Sequence, residues 1–129
     1  MVTVEEGPAV YVKVENRPDA LARVTRALVE RRIGLDGVSV ETMGGTAVVR
    51  LVVKQPRRAV AALREMGLDA FESEVLFTAA TSRPSALARI AAELAQADVN
   101  VEGVVTTADR RLALRTSDNA RAAEILRKL

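Results

Sequence analysis

The sequence predicts an α+β fold made of two tandem ferredoxin-like βαββαβ units, each an antiparallel sheet with helices on one face. Length is the first observation, because 129 residues suffice for one ordinary domain or two very small ones. The second is an internal repeat: residues 17–23 (RPDALAR) recur as residues 83–89 (RPSALAR), and nine of the 22 positions aligned from there are identical. Strand-like and helix-like patterns follow each copy in the same order, which favours a duplicated fold.

The first repeat begins with a strand and an amphipathic helix. Residues 10–14 are rich in β-branched and aromatic side chains, which is typical of a strand. Pro18 is suited to the first turn of a helix, and we predict that this helix ends at Gly34. Its apolar face consists of Leu21, Val24 and Leu28.

A hairpin and a second helix complete the first repeat. Gly44 and Gly45 form a two-residue hairpin signal between two strand-like runs. The second helix begins at a proline and stops at a glycine. The predicted elements are, in order, strand 35–42, strand 46–53, a helix from Pro56 to Gly67 and strand 71–77.

The second repeat shows the same order up to its last helix. Its predicted elements are strand 76–80, helix 84–97 with Leu87, Ile90, Ala91 and Leu94 inside, strands 99–107 and 111–116, and helix 119–129. We place the first unit at residues 1–72 and the second at 73–129. Residues 69–81 must serve both units, either as one long strand or as two short ones. The second unit lacks its own final strand, so residues 2–4 or another chain could fill that edge.

The composition excludes several kinds of function. Hydrophobic residues make up 49% and charged residues 28%, so the chain is expected to fold. Cysteine and histidine are absent, which removes the commonest metal ligands, cysteine nucleophiles and the usual base at neutral pH. We therefore expect no metal, no other cofactor and no enzymatic activity. The net charge of +2 indicates neither a nucleic-acid nor a membrane partner.

The N-terminal sequence predicts a cytoplasmic protein. Residues 1–6 have neither a basic start nor an apolar run of signal-peptide length. No window of the sequence approaches the roughly 18 consecutive apolar residues that a membrane span needs.

Both repeats resemble the ACT-domain family of small regulatory modules, and the chain is most similar to stand-alone proteins made of two such modules. The resemblance covers nearly the whole chain. In the first repeat it rests on residues 15–21 (ENRPDAL) and 32–35 (RIGL), and in the second on residues 82–87 (SRPSAL) and 98–101 (DVNV). These segments match a family pattern in which a strand, a polar loop and a helix are followed by a turn into the next strand.

The resemblance implies that a free amino acid binds between the loop that precedes the first helix and the turn that follows it. A helix N-terminus offers unpaired N–H groups to a carboxylate, and an Asn amide can serve either end of an amino acid. If two modules pair head to head, Asn16 and Asn100 share one pocket, and Ser82 and Gly34 share the other. The positions that match the family's binding segments are Asn16, Asp19, Ala20, Leu21, Gly34, Leu35, Ser82, Ser85, Ala86, Leu87, Asn100 and Val101.

Three alternatives remain beside amino-acid binding. The family's loop glycine is Asp19 in the first repeat and Ser85 in the second, and this difference keeps a ligand-free subunit that regulates a partner enzyme as an alternative. Asp19 and Ser85 fit ordinary dipole-favourable or capping residues of a first helical turn, and Asn16 could equally be a cap or a ligand-binding residue. RNA binding would need aromatic residues on the central strands, but the third strand of each repeat has none and Tyr11 alone forms no platform. Catalysis would need an unusual nucleophile and base. We expect a homodimer and a partner enzyme of amino-acid metabolism.

Overall fold

The structure, a computed structural model, describes residues 3–79 and 84–129. It confirms the predicted α+β class, and its described residues form an antiparallel sheet in the strand order β2-β3-β1-β4-β6-β5 and four helices. No helix among the described residues is long and apolar enough to cross a membrane. The elements are β1 (Val4–Glu15), α1 (Ala20–Glu30), β2 (Leu35–Met43), β3 (Thr46–Val53), α2 (Pro56–Glu65), β4 (Asp69–Ala79), α3 (Pro84–Gln96), β5 (Val101–Thr106), β6 (Arg111–Thr116) and α4 (Asn119–Arg127).

Two strands take part in both compact units of the chain. The first unit is Pro8–Ser73, and the second unit is Glu74–Leu129 together with Met1–Gly7. The strand order is β2-β3-β1-β4 in the first unit and β1-β4-β6-β5 in the second. Each unit therefore has four strand positions and two helices, as a ferredoxin-like fold requires. Of the stretch predicted to serve both units, residues 69–81, the described part Asp69–Ala79 is one continuous strand, β4, rather than two short ones.

The N-terminal end of β1 fills the strand position that the second repeat lacks. Val4 is 7% exposed and belongs to the hydrophobic core of the second unit with Leu76, Leu114 and Leu126. The Arg127 guanidinium also donates a hydrogen bond to the Val4 carbonyl oxygen at 3.3 Å. Of the two ways to fill this edge, the structure has the one within the chain. Val2, the first residue predicted for that edge, lies outside the described residues.

Side chains alternate between the two faces of β1 and β3, and one of these faces forms part of the core of the first unit. Val10 pairs with Leu51 and Val12 with Val49, and all four side chains are fully buried. Alternate residues of a strand face the same side, so these four residues form one apolar layer. The helix residues of the same core are Val24, Ala27, Leu28, Ala59, Val60, Ala62 and Leu63.

The second helix pair is packed in the same way, but two residues predicted inside α3 are not buried. Ile90 and Leu94 lie in the core of the second unit, with Ala97 packed against it. Leu87 is 43% exposed and Ala91 is also exposed. Successive residues of a helix are rotated by about 100° around its axis. Measured around that axis from the middle of the face that Ile90, Leu94 and Ala97 form, Leu87 lies about 50° and Ala91 about 90° away. The prediction that both residues are internal is therefore wrong.

The first helix starts and ends at different residues from those predicted. Pro18 precedes the helix, because α1 begins at Ala20. At the other end, α1 stops at Glu30, and Arg32 rather than Gly34 adopts the left-handed conformation, with φ of 54°. The Ile33 N–H donates to the Leu28 carbonyl at 3.0 Å, which is the bond of a Schellman motif.

The β2–β3 hairpin provides a matched test of backbone conformation. Gly44 has φ of +62° and Gly45 does not have a positive φ, yet a Cβ at either position would meet nothing within 4 Å. We expect Gly44→Ala to lower the free energy of unfolding by about 1–2 kcal/mol, because a side chain is strained at this φ. Gly45→Ala is the control and should change it little. Equal losses in urea denaturation would contradict this explanation.

Candidate functional site

A cleft of about 260 Å³ lies in the first unit, beside the start of α1. Three segments form its wall: the end of β1, the loop that leads into α1, and the turn between α2 and β4. The lining residues are Lys13, Val14, Glu15, Arg17, Asp19, Ala20, Arg23, Gly67, Leu68 and Asp69. Two of the residues predicted from the sequence, Asp19 and Ala20, are among them.

The turn between α2 and β4 closes one side of the cleft. Gly67 has φ of +78°, and the Leu68 N–H donates to the Leu63 carbonyl at 3.1 Å, so this turn ends α2 in a Schellman motif. Leu68 is thereby buried in the core of the first unit, and Asp69 begins β4 beside the end of β1. The glycine that stops α2 therefore also brings a carboxylate to the cleft.

One arginine of the cleft lies between two carboxylates. Arg17 Nη1 is 3.5 Å from Glu15 Oε2, and Arg17 Nε is 3.6 Å from Asp19 Oδ1. All three side chains are more than half exposed. Exposed ion pairs contribute at most about 1 kcal/mol, so they fix Arg17 only weakly. The carboxylates of Glu15 and Asp19 nevertheless offset the positive charge of Arg17.

Three other charged side chains of the cleft have no such partner. Lys13, Arg23 and Asp69 form no side-chain ion pair or hydrogen bond with any residue that the structure describes. Within the described residues, the charges of these three side chains are therefore not offset by a side-chain partner.

The N-terminus of α1 adds hydrogen-bond donors to the same region. Asp19 occupies the N-cap position, where its charge suits the helix dipole, but its side chain makes no capping hydrogen bond. The Arg23 N–H donates to the Asp19 carbonyl at 3.0 Å, whereas those of Leu21 and Ala22 have no acceptor among the described residues. Free N–H groups and the partial positive charge of a helix N-terminus favour an anion here.

Four predicted residues of the first unit lie outside the cleft wall. Asn16 is tied to the β2–β3 hairpin, because its side-chain amide donates to the Gly44 carbonyl at 3.1 Å and its N–H to the Gly45 carbonyl at 2.9 Å. A Cβ on Gly34 would come within 2.9 Å of Lys54 Cγ, so this glycine allows a close approach within the fold. Leu21 and Leu35 are exposed on α1 and β2.

The predicted residues of the second repeat are placed as follows. Ser82 lies outside the described residues. Asn100 is bound to the residue after β6, because its N–H donates to Ser117 Oγ and its carbonyl accepts from the Ser117 N–H, both at 2.9 Å. Val101 packs against the core of the second unit. Ser85, Ala86 and Leu87 lie in the first turn of α3. Asn16 and Asn100 belong to different units, and their sharing of one pocket stays a prediction.

A second charged cluster, at the β5–β6 turn, serves the fold. Asp109 accepts hydrogen bonds from the Thr107 hydroxyl and from Arg111 Nε, and the Arg111 guanidinium lies 4.8 Å from the centre of the Phe77 ring. The hydrogen bond from Thr107 is the largest cause that holds the pKa of Asp109 below its usual value, with Arg111 adding to it. Within the described residues, no group of three possible metal ligands occurs here or elsewhere.

Comparisons with known proteins identify the fold. No family model matches the chain, and no curated protein matches it. A structure of a Bacteroides thetaiotaomicron protein is 21% identical, with a TM-score of 0.87, covering 97% of this chain and 89% of that one. The regulatory subunit of aspartate kinase from Thermus thermophilus, in its ligand-free form, is 20% identical, with a TM-score of 0.70 and coverages of 98% and 92%. This chain shares their fold.

A third solved structure extends the comparison. The regulatory subunit of aspartate kinase from Thermus flavus is 18% identical to this chain, with a TM-score of 0.64, and the match covers 98% of this chain and 95% of that one. Each of these matches spans nearly the full length of both chains, so the likeness includes both units and not one repeat alone. At these identities it concerns the fold.

Sequence reasoning missed four residues of the cleft wall that carry its chemistry. They are Lys13, Arg23, Gly67 and Asp69. The family pattern covers the loop and the helix start but says nothing of the α2–β4 turn. One sequence signal pointed to this turn: Gly67, which stops the helix, is followed two residues later by an acid, Asp69, at the start of a strand.

Proposed function

We propose that this protein is a non-enzymatic regulatory module that binds a small free amino acid in the cleft of the first unit. The observation that carries the proposal is the mixture of unpaired cations and an unpaired carboxylate beside an uncapped helix N-terminus. An amino acid carries an ammonium and a carboxylate a short distance apart, and each would meet an opposite charge here. The volume of about 260 Å³ lies below the roughly 300–1,000 Å³ of pockets for drug-sized ligands, which suits a small metabolite.

The structural comparisons support the regulatory part of the proposal. Two of the similar structures are regulatory subunits of aspartate kinase, so this fold serves enzyme regulation in those proteins. We extend this to the present chain as a regulator of a partner enzyme of amino-acid metabolism. A cytoplasmic location and a homodimer belong to the same proposal. Because a fold alone does not determine a function, the charges of the cleft remain the main support.

The alternatives differ in what they require of the structure. A ligand-free regulatory subunit is favoured by Asp19, whose carboxylate pairs with Arg17 at the position of the family's glycine. RNA binding requires exposed aromatic rings on the sheet. Tyr11 is only 5% exposed and stacks on Phe71 with ring centres 5.6 Å apart, so it offers no platform for a base.

A thermal-shift screen of the twenty amino acids at millimolar concentration tests the proposal. At about 100 times its dissociation constant, a ligand adds about 2.7 kcal/mol to the free energy of unfolding. We expect a clear shift from at least one amino acid, and we expect Arg23→Met to reduce it. Arg26→Met is the matched control, because Arg26 is exposed on the same helix outside the cleft wall.

Two results would contradict amino-acid binding in this cleft. The absence of a shift with every amino acid would favour the ligand-free subunit. A shift that Arg23→Met and Arg26→Met reduce equally would place the ligand elsewhere.

A further inference from the structure

We infer that β2, the outer strand of the first unit, pairs antiparallel with β2 of a second copy of this chain around a twofold axis at Ser39. The inference rests on the homodimer of the proposed function and assigns its interface, and it does not depend on amino-acid binding. Among the described residues, only β3 is hydrogen-bonded to β2, which is the first strand in the sheet order. The backbone groups on the other side of β2 are therefore open to a further strand.

The helix-facing side of β2 is apolar and is not covered. Val38 pairs with Leu51 and Val40 with Val49, and directly opposite residues of an antiparallel pair face the same side of the sheet. Leu51 and Val49 are fully buried in the core of the first unit, whereas Val38 is 45% and Val40 is 47% exposed. The helices of this unit therefore leave its outer strand uncovered, with two β-branched side chains in contact with water.

Helix α1 extends this apolar surface. Leu21 and Val29 are both exposed on α1. Around the helix axis they lie about 160° and about 120° from Arg23, which lines the cleft beside the α2–β4 turn. In the first unit β4 and β2 are at opposite ends of the strand order. The apolar side of α1 is therefore turned away from β4 and toward the side of the unit where β2 lies.

β2 lacks the features that usually protect an exposed edge. Such strands are commonly short or carry lysine or proline, which discourage pairing with another chain. The nine residues of β2 (LDGVSVETM) include neither, and the pairing with β3 is irregular only between Leu35 and Gly37. The outer strand of the second unit, β5, has six residues, and Thr106 takes the place that Val40 has in the first repeat. The first unit therefore has the longer and more apolar edge.

A second copy of β2 complements this edge. Ser39 is the middle residue of β2, so antiparallel pairing around it joins the two strands over most of their length. In this register Val38 of each copy is opposite Val40 of the other, and the two valine pairs lie on the helix-facing side. Glu41 is opposite Gly37, so it does not meet a like charge across the axis. The sequence of β2 is therefore complementary to itself.

The hydroxyl group of Ser39 gives independent support. Its Oγ atom is shielded from solvent and has no hydrogen-bond partner among the described residues. Such a group costs free energy unless it is paired. At the axis, the two Ser39 residues are directly opposite, with Cβ atoms about 4.5–5.5 Å apart. Rotation about the Cα–Cβ bond then allows one hydroxyl to donate to the other.

Analytical ultracentrifugation of the full chain at micromolar concentrations tests the interface. Val38→Lys places an ammonium group between the two strands, and we expect it to weaken the dimer by about tenfold or more. Val104→Lys is the matched control, because Val104 is the exposed valine of β5 that pairs with the buried Leu114. It should leave the dimer unchanged, and both variants should keep the circular dichroism spectrum of the wild type.

Ser39→Cys tests the register. The chain has no cysteine, so a disulfide formed in a single-cysteine variant joins two copies. We expect oxidation with diamide to convert Ser39→Cys largely into a covalent dimer, because opposite Cβ atoms are close enough for a disulfide after a small adjustment. Thr42→Cys should remain unlinked under the same conditions, since its two thiols would be about 20 Å apart in this register.

The outcomes separate this inference from amino-acid binding. A monomeric wild type would leave the β2 edge to a strand of a different protein and would overturn the inference together with the homodimer. Amino-acid binding would be untouched, because the thermal-shift screen tests it separately. A dimer that Val38→Lys and Val104→Lys weaken equally would overturn the interface. Equal cross-linking of Ser39→Cys and Thr42→Cys would overturn the register around Ser39.

Discussion

Replacing Leu28 by alanine is expected to lower the free energy of unfolding by about 2–5 kcal/mol. Leu28 is 2% exposed and belongs to the core of the first unit, in the same cluster as Val12, Leu51 and Leu63. Truncation removes the favourable burial of its side chain and leaves a cavity that the neighbouring strands cannot fully close. Urea denaturation followed by far-UV circular dichroism measures the loss.

The next residue in the chain is the control for this substitution. Val29 lies on the same helix but is 74% exposed. Val29→Ala should change the free energy of unfolding by no more than about 0.5 kcal/mol, because it removes no buried contact. If the two substitutions had equal effects, the buried face of α1 would have to be assigned differently.

The second large effect is expected from Val4→Asp. Val4 is buried in the core of the second unit, although it is among the first residues of the chain. A carboxylate at this position would be removed from water without a partner, at a cost of several kcal/mol. We expect the second unit to lose protection from amide hydrogen exchange in β6 and α4, which contribute Leu114 and Leu126 to the same core.

Glu5→Gln provides the comparison for Val4→Asp, since Glu5 is exposed on the same strand. It should leave both the free energy of unfolding and the exchange pattern nearly unchanged. If Val4→Asp were as well tolerated as Glu5→Gln, the N-terminal end of β1 could not be the fourth strand of the second unit.

Much of the fold was predictable because local chemistry and tertiary structure agree. The predicted strand 46–53 coincides with β3, Pro56 begins α2 as expected, and Gly44 and Gly45 form the hairpin turn. The end of α1 was not predictable in this way. Arg32 takes a left-handed conformation that glycine would favour, and the Ile33 N–H to Leu28 carbonyl bond imposes it.

The site was less accessible to sequence reasoning than the fold. The sequence pattern of the helix start was enough to select Asp19 and Ala20, and both residues lie in the cleft wall. Lys13 and Asp69 are separated by most of the first unit and meet only because β1 and β4 are neighbours. A local pattern holds no information about which strands become neighbours, so the closeness of Lys13 to Asp69 could not be predicted from it, although the spacing of Gly67 and Asp69 pointed to Asp69.

The position of Val4 has a consequence for how the chain matures during synthesis. Arg127 and Val4, which are bonded in the folded protein, are 123 residues apart. Nascent chains generally fold from the N-terminus as sequence becomes available. Pro8–Ser73 can therefore complete its core while the ribosome is still translating, whereas Val4–Gly7 must wait for α4. During that interval the Val4 side chain, the one apolar side chain of this strand end, is left without its core partners.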